Sequence, residues 1–221
     1  MNRKTTVRKV LGRTCSLIAL GAMTVALTPT PATAGTTTKT YDFSYESGFE
    51  GWVPKTDETS GAPDCDGPHD SAIVRSAAKA RTGTHSLDFK VRSPHDCGLA
   101  YVDRQFDVGT TNPVRLDLSL WLWSEDYEGG TGGLFAVLAR GGADCVSDPR
   151  WNRGGGGWEG FTELGSTGHA EGPGWYNYRY RATVTPNPSG HICVSQAMKL
   201  SSTTGEDFKH YYLDDTKVTI N

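Results

Sequence analysis

The chain has 221 residues, 22 basic and 25 acidic, with a net charge of −3, 36% hydrophobic residues and a mean hydropathy of −0.46. That length suits a single domain with a full-sized core. The acidic balance argues against nucleic acid or polyanionic surfaces as general partners.

The first 34 residues read as a secretory leader. "MNRKTTVRKVLGRT" holds five positive charges and no acid, "CSLIALGAMTVALTP" is an apolar run too short for a stable membrane anchor, and "ATA" precedes Gly35 as a small-residue cleavage site. Cleavage there leaves 187 residues and 17 basic side chains against 25 acids, a net charge of −8. The expectation is an exported, monomeric protein with a short disordered lead-in over 35–40 and one domain over 41–221. Four cysteines then remain, Cys65, Cys97, Cys145 and Cys193. In an exported chain an even number points to two disulfides. Sequence permits three connectivities, of which the sequential pairs Cys65–Cys97 and Cys145–Cys193 are the expectation. A zinc site is the rival, disfavoured by the absence of any CxxC pair.

In chain order, "YESGFEGWVP" (45–54) comes first. It spaces Glu46 and Glu50 four apart, but Gly48 and Gly51 interrupt the run and Pro54 follows, so a bend is expected rather than a helix. "DCDGPHD" and "SPHDC" repeat Pro-His-Asp beside cysteines, a pattern that ordinary loop tips also show. "HSLDFKVRS" alternates Leu87, Phe89 and Val91 with polar residues, and "LAYVDRQFDV" alternates less cleanly. "PVRLDLSLWLWS" places Leu116, Leu118, Leu120 and Leu122 on one face, with Asp117, Ser119, Trp121 and Trp123 on the other. "GLFAVLAR", "WYNYRYRATVTP", "HICVSQAMKL" and "HYYLDDTKVTI" complete seven or more strands, which predicts a β-sandwich or barrel. Gly141 to Trp175 breaks the pattern with eleven glycines and three tryptophans. A segment that long without strong structure tends to be functional or disordered.

The two ends of this chain resemble the jelly-roll carbohydrate-binding modules and their galactose-binding-like relatives. "YESGFEGW" matches an opening aromatic-Glu-x-Gly-x-x-Gly-Trp pattern, "GTHSL" a Gly-x-x-Ser-Leu strand start, and "YYLDDTKV" a closing aromatic-aliphatic-Asp-Asp strand. The long glycine-rich segment and the four cysteines depart from that pattern. The resemblance implies an antiparallel jelly-roll β-sandwich with a structural calcium between the first and last strands. Carried over, the ion's carboxylates are Glu46 and Asp214 or Asp215, with backbone carbonyls near the Gly-x-x-Ser-Leu turn.

The functional expectation is a non-catalytic carbohydrate-binding protein for a neutral or weakly charged glycan. Trp121, Trp123, Trp151 and Trp158 are the candidate stacking platforms, with Tyr101 and Tyr127 flanking them. The alternative is a polysaccharide-degrading lyase or glycoside hydrolase on the same scaffold. A hydrolase needs paired carboxylates, for which Glu125, Asp126, Glu128, Asp148, Glu159 and Glu163 are candidates. A lyase set is hinted at by "YNYRYR" with His191 or Gln196. Neither a nucleophile elbow nor a His-Glu-x-x-His motif is present, and no catalytic residue is assigned.

Overall fold

The strand signals resolve into three antiparallel sheets. This computed structural model describes residues 37–57, 70–92, 99–124, 134–141, 145, 151–152, 157–158, 162–166, 173–199 and 208–221. Among them the strands are β1 (Lys39–Phe43), β2 (Val53–Asp57), β3 (Asp70–Ser76), β4 (Ser86–Arg92), β5 (Leu99–Asp107), β6 (Val114–Ser124) and β7 (Leu134–Gly141). They continue with β8 (Trp151–Asn152), β9 (Gly157–Trp158), β10 (Thr162–Ser166), β11 (Gly174–Val184), β12 (His191–Lys199) and β13 (Lys209–Ile220).

The first sheet runs β11-β6-β13-β4-β3, with β1 added on β13, and the second runs β10-β7-β12-β5-β2. The short strands β8 and β9 pair separately, Trp151 opposite Trp158. The inner faces of the two large sheets meet in one apolar core. Leu116, Leu118, Leu120 and Leu122 of β6 are all buried in it, as the period-two pattern predicts. Phe43, Trp52 and Phe106 close one end with edge-to-face contacts. This is the expected jelly-roll-type sandwich, and Thr36–Asn221 forms one compact unit.

The weak alternation of β5 has a physical cause. Ala100, Tyr101, Val102 and Asp103 are buried in succession, as are the residues from Ile192 to Met198 on β12. These central strands are covered on both faces, so apolar and polar residues need not alternate. Cys145 sits on the outer face of this sheet, bonded to Cys193 with Cα atoms 5.3 Å apart. Cys65 and Cys97 lie outside the described residues.

The last strand joins both ends of the domain. The N-terminal half of β13 pairs with β4 and its C-terminal half with β1, while β6 follows it along the other edge. A bulge between Asp214 and Lys217 interrupts that edge, with Asp215 at φ 45°. The αL conformation is one that aspartate tolerates. Tyr211 and Leu213 face the core before the bulge and Val218 and Ile220 after it, so the inward parity shifts by one residue there. Without the bulge, strict alternation would turn Lys217 inward and Val218 out.

Candidate functional site

The opening bend is built as its glycines and acids require. Tyr45 and Glu50 take φ values of 59° and 50°, and Gly48 and Gly51 are also left-handed. Glu50 accepts from the Ser44 N–H at 3.0 Å and from the Ser44 and Ser47 hydroxyls, so it caps the turn. Tyr45 is fully buried and donates its hydroxyl to Thr216 Oγ1 at 2.8 Å. Trp52 covers the core beside it, 2% exposed.

Glu46 reaches the loop before β4. Its Oε1 accepts from the Thr84 and His85 N–H groups at 2.7 and 2.8 Å, and Oε2 accepts from the Thr84 hydroxyl at 2.9 Å. The His85 and Thr84 N–H groups hold its pKa down to about 2. A Cβ at Gly83 would collide with the Glu46 carboxylate, and Gly83 has φ +62°, so glycine is required twice over. Asp214 grips the same loop from the other chain end. Its Oδ2 accepts from the Arg81 and Thr82 N–H groups at 2.8 and 3.3 Å, and its Oδ1 from the Asp215 N–H at 2.8 Å. Burial pushes the Asp214 pKa up, outweighing those N–H bonds, and the Asp215 charge adds to the rise. Asp215 itself holds the Arg81 guanidinium and the Thr82 hydroxyl, each at 2.7 Å.

The three acids chosen as calcium ligands therefore do converge on one element, the loop 81–85. As placed, they do not fit a calcium cage. The Glu46 and Asp214 oxygens face N–H and hydroxyl donors, and N–H groups offer a cation no lone pair. Nor do the three carboxylates gather within ligand distance of one another; among the described residues only Asp103, Cys145 and Cys193 group so tightly, and the two cysteines are a disulfide. The arrangement is a hydrogen-bonded clasp. Sequence reasoning missed its donors, Arg81, Thr82, Thr84 and His85; their backbone N–H groups leave no signature in residue identity, and their side chains meet the acids only once the chain ends are brought together.

The same loop crosses the outer face of the first sheet. Lys79 Nζ lies 4.4 Å from the Trp123 ring centre, and Arg81 Cζ lies 3.7 Å from that of Trp121. Trp123 also meets Trp175 edge-to-face at 5.8 Å. Both β6 tryptophans do face outward, as the alternation predicts, but a ring face of each is occupied by a cation rather than offered as an open platform. Tyr101 needs a correction too: it is 1% exposed, on the covered outer face of β5, with the Lys55 ammonium 5.9 Å from its ring centre. Of the remaining platform residues, Trp151 and Trp158 are placed only by their backbone pairing, and Tyr127 lies outside the described residues. So do both Pro-His-Asp histidines, His69 and His95.

Beyond Trp121 the outer face is open among the described residues. A depression of about 530 Å³ spans β11, β6 and β13, floored by Asp117 and Ser119 and walled by Arg179, Arg181, Lys217 and Thr219. Asp117 accepts from Arg115 Nε at 2.8 Å and from Arg181 Nε. Burial pulls its carboxyl up, but the bonds from Arg181 and Arg115 outweigh it and hold the pKa below the ordinary value. Arg179 and Arg181 come from "YNYRYR", and the β6–β11 ladder sets them opposite Ser119 and Asp117. Of the two residues named with that segment as a lyase hint, Gln196 is fully buried, its Oε1 accepting from the Thr216 hydroxyl at 3.3 Å on the inner side.

A second polar site lies on the outer face of the other sheet. Asp103, 1% exposed, takes the Lys55 ammonium at 3.2 Å and the Ser195 hydroxyl, while Lys55 also donates to the Cys145 carbonyl at 2.9 Å. A cavity of about 330 Å³ adjoins it.

Comparison with solved structures places this architecture. It resembles the tandem of two family 22 carbohydrate-binding modules of Paenibacillus barcinonensis Xyn10C, with TM-score 0.50, 15% identity, and 86% of this chain covering 47% of that one. The fold is that of the β-sandwich carbohydrate-binding modules. The xylan-binding first module of the same enzyme gives 0.48 at 14% identity over 81% of this chain and 92% of that one. The C-terminal family 22 module of Clostridium thermocellum Xyn10B gives 0.46 at 12% identity over 81% and 92%. No family model matches the sequence, and no curated protein matches it.

Proposed function

We propose that this protein is an exported, non-catalytic glycan-binding protein that meets its ligand on the outer face of the first sheet. The observation that carries the reading is the open 530 Å³ depression, whose walls are hydroxyl, amide, carboxylate and guanidinium groups with Tyr180 at its side. A polyol needs many convergent donors and acceptors around a shallow, preformed trough. Strands supply them on rigid backbone, since Asp117, Ser119, Arg179 and Arg181 are held in register by the β6–β11 ladder. The leader pattern supports export, and the Cys145–Cys193 disulfide agrees with an oxidising compartment. The fold hosts carbohydrate binding elsewhere, but fold alone does not assign function.

Affinity electrophoresis of the mature chain against a glycan panel tests this. Retardation by at least one polysaccharide is expected, abolished by Ser119→Tyr, which fills the trough from a half-buried, outward-facing strand position. Retardation untouched by that substitution would move the site elsewhere. Release of reducing ends or unsaturated uronates would favour the polysaccharide-degrading alternative.

A further inference from the structure

The depression on the first sheet carries a charge that a neutral glycan does not explain. Its lining includes Arg115, Arg179, Arg181 and Lys217, with Asp117 as the one acid among them. The mature chain has 25 acids and 17 bases, so a cluster of four cations around one carboxylate runs against the composition.

The pairing pattern shows which cations are committed. Arg115 and Arg181 are both spent on Asp117. Arg179 donates its Nε to the neutral Asn177 Oδ1 at 3.0 Å. Among the described residues Lys217 meets only the Asp42 carboxylate, at 3.4 Å, and the two side chains are 52% and 72% exposed. A pair that exposed is weak and screened. Arg179 and Lys217 are thus the cations whose charge stays available to a ligand.

The ladder sets them opposite one another. Arg179 pairs across β11–β6 with Ser119, and Ser119 pairs across β6–β13 with Lys217. With strands about 4.8 Å apart, the two cationic residues stand roughly 10 Å apart at their Cα atoms with a hydroxyl midway. The bulge at Asp215 is what turns Lys217 onto this rung. A guanidinium fork, a compact ammonium and a hydroxyl donor between them form a receptor for a small oxyanion.

We propose that this rung binds the anionic substituent, carboxylate or sulfate, of an acidic glycan lying across β11, β6 and β13. The inference rests on the glycan-binding reading above and names its ligand class. Arg179 takes the oxyanion through two N–H groups, Lys217 from the opposite side, and Ser119 donates from below. Asp117, held by its own two arginines, accepts sugar hydroxyls beside it.

Matched polymers separate the outcomes. Binding of the mature chain is measured by titration calorimetry on polygalacturonate and its methyl ester, and on dextran sulfate and dextran. One acidic polymer is expected to bind about tenfold tighter than its neutral partner, and which one does so distinguishes carboxylate from sulfate. The preference should shrink as salt rises from about 0.02 M to about 0.3 M. The Arg179→Gln/Lys217→Gln variant should lose it with an unchanged melting temperature. Arg179→Lys should recover only part, since an ammonium cannot make the forked contact. Equal binding of acidic and neutral polymers overturns the inference and leaves the glycan reading standing. So does a preference that survives in the double variant. No binding to any polymer overturns both.

Discussion

Removing the Asp214 carboxylate is expected to open the clasp, and the geometry gives the size of the loss. Asp214→Ala strands three N–H groups, those of Arg81, Thr82 and Asp215, which now share a buried carboxylate. An unsatisfied buried donor costs about 1–3 kcal/mol. Arg81 and Thr82 lie on an exposed loop and regain water once it lifts, and the buried charge disappears with the substitution. The net loss is therefore set at about 3 kcal/mol rather than the full sum. For a domain of this size each kcal/mol moves the melting temperature by roughly 2–4 °C, so the variant should melt about 6–12 °C lower. Differential scanning calorimetry at neutral pH, with and without a chelator, reads the result. The chelator should leave the wild type unmoved, because N–H groups and not a cation fill the carboxylates. A drop under about 2 °C in the variant would refute the accounting. A wild type that loses as much in chelator, and regains it with calcium, would show that the ion holds the clasp.

Three further outcomes follow from the same geometry. Glu46 has its pKa lowered from 4.5 to about 2, so its stabilisation is complete above 4.5 and lost as pH falls toward 2. Glu46→Gln should flatten the acid branch of melting temperature against pH; parallel curves for variant and wild type would refute this. Asp214, with its pKa raised, works in the opposite sense, its contribution being lost as pH rises above the ordinary 3.8. Cys193→Ala opens a bridge of sequence separation 48, which the chain-entropy relation values at about 4 kcal/mol, checked by denaturant unfolding of oxidised and reduced protein. Leu120→Ala, at a fully buried position of β6, should cost about 2–5 kcal/mol in the same assay, and under about 1 kcal/mol would argue against the packed core.

Much of the fold was legible before any coordinates. The leucine stripe of β6 and the alternation of β4 reflect one apolar, core-facing side and one polar side, and that contrast is written directly in residue polarity. Where both faces are covered, as at Tyr101 and Asp103, polarity carries no such record, and Tyr101 was read as a ligand neighbour. The clasp was legible by half. Glu46, Asp214 and Asp215 were singled out as partners across the chain ends by the family resemblance, and the choice of calcium came with it. Most of the groups that face Glu46 and Asp214 are backbone N–H donors, which every residue possesses and no sequence displays.

The amino-acid sequence by itself determined the class: short alternating strands, turn residues between them, and the acids that tie the ends of the domain. Tertiary structure decided which faces are open. Trp121 and Trp123 point outward by strand parity alone, yet a ring face of each is taken by Arg81 and Lys79 from a loop some 40 residues earlier in the chain. Lys217 reaches the trough only because one αL residue, Asp215, shifts the parity of β13. A net charge of −3 describes the whole chain. The cationic rung of Arg179 and Lys217 exists only where two ladders bring distant residues to either side of Ser119. Charge that composition averages away becomes local once strands pair, because cross-strand neighbours sit about 5 Å apart whatever their separation in sequence.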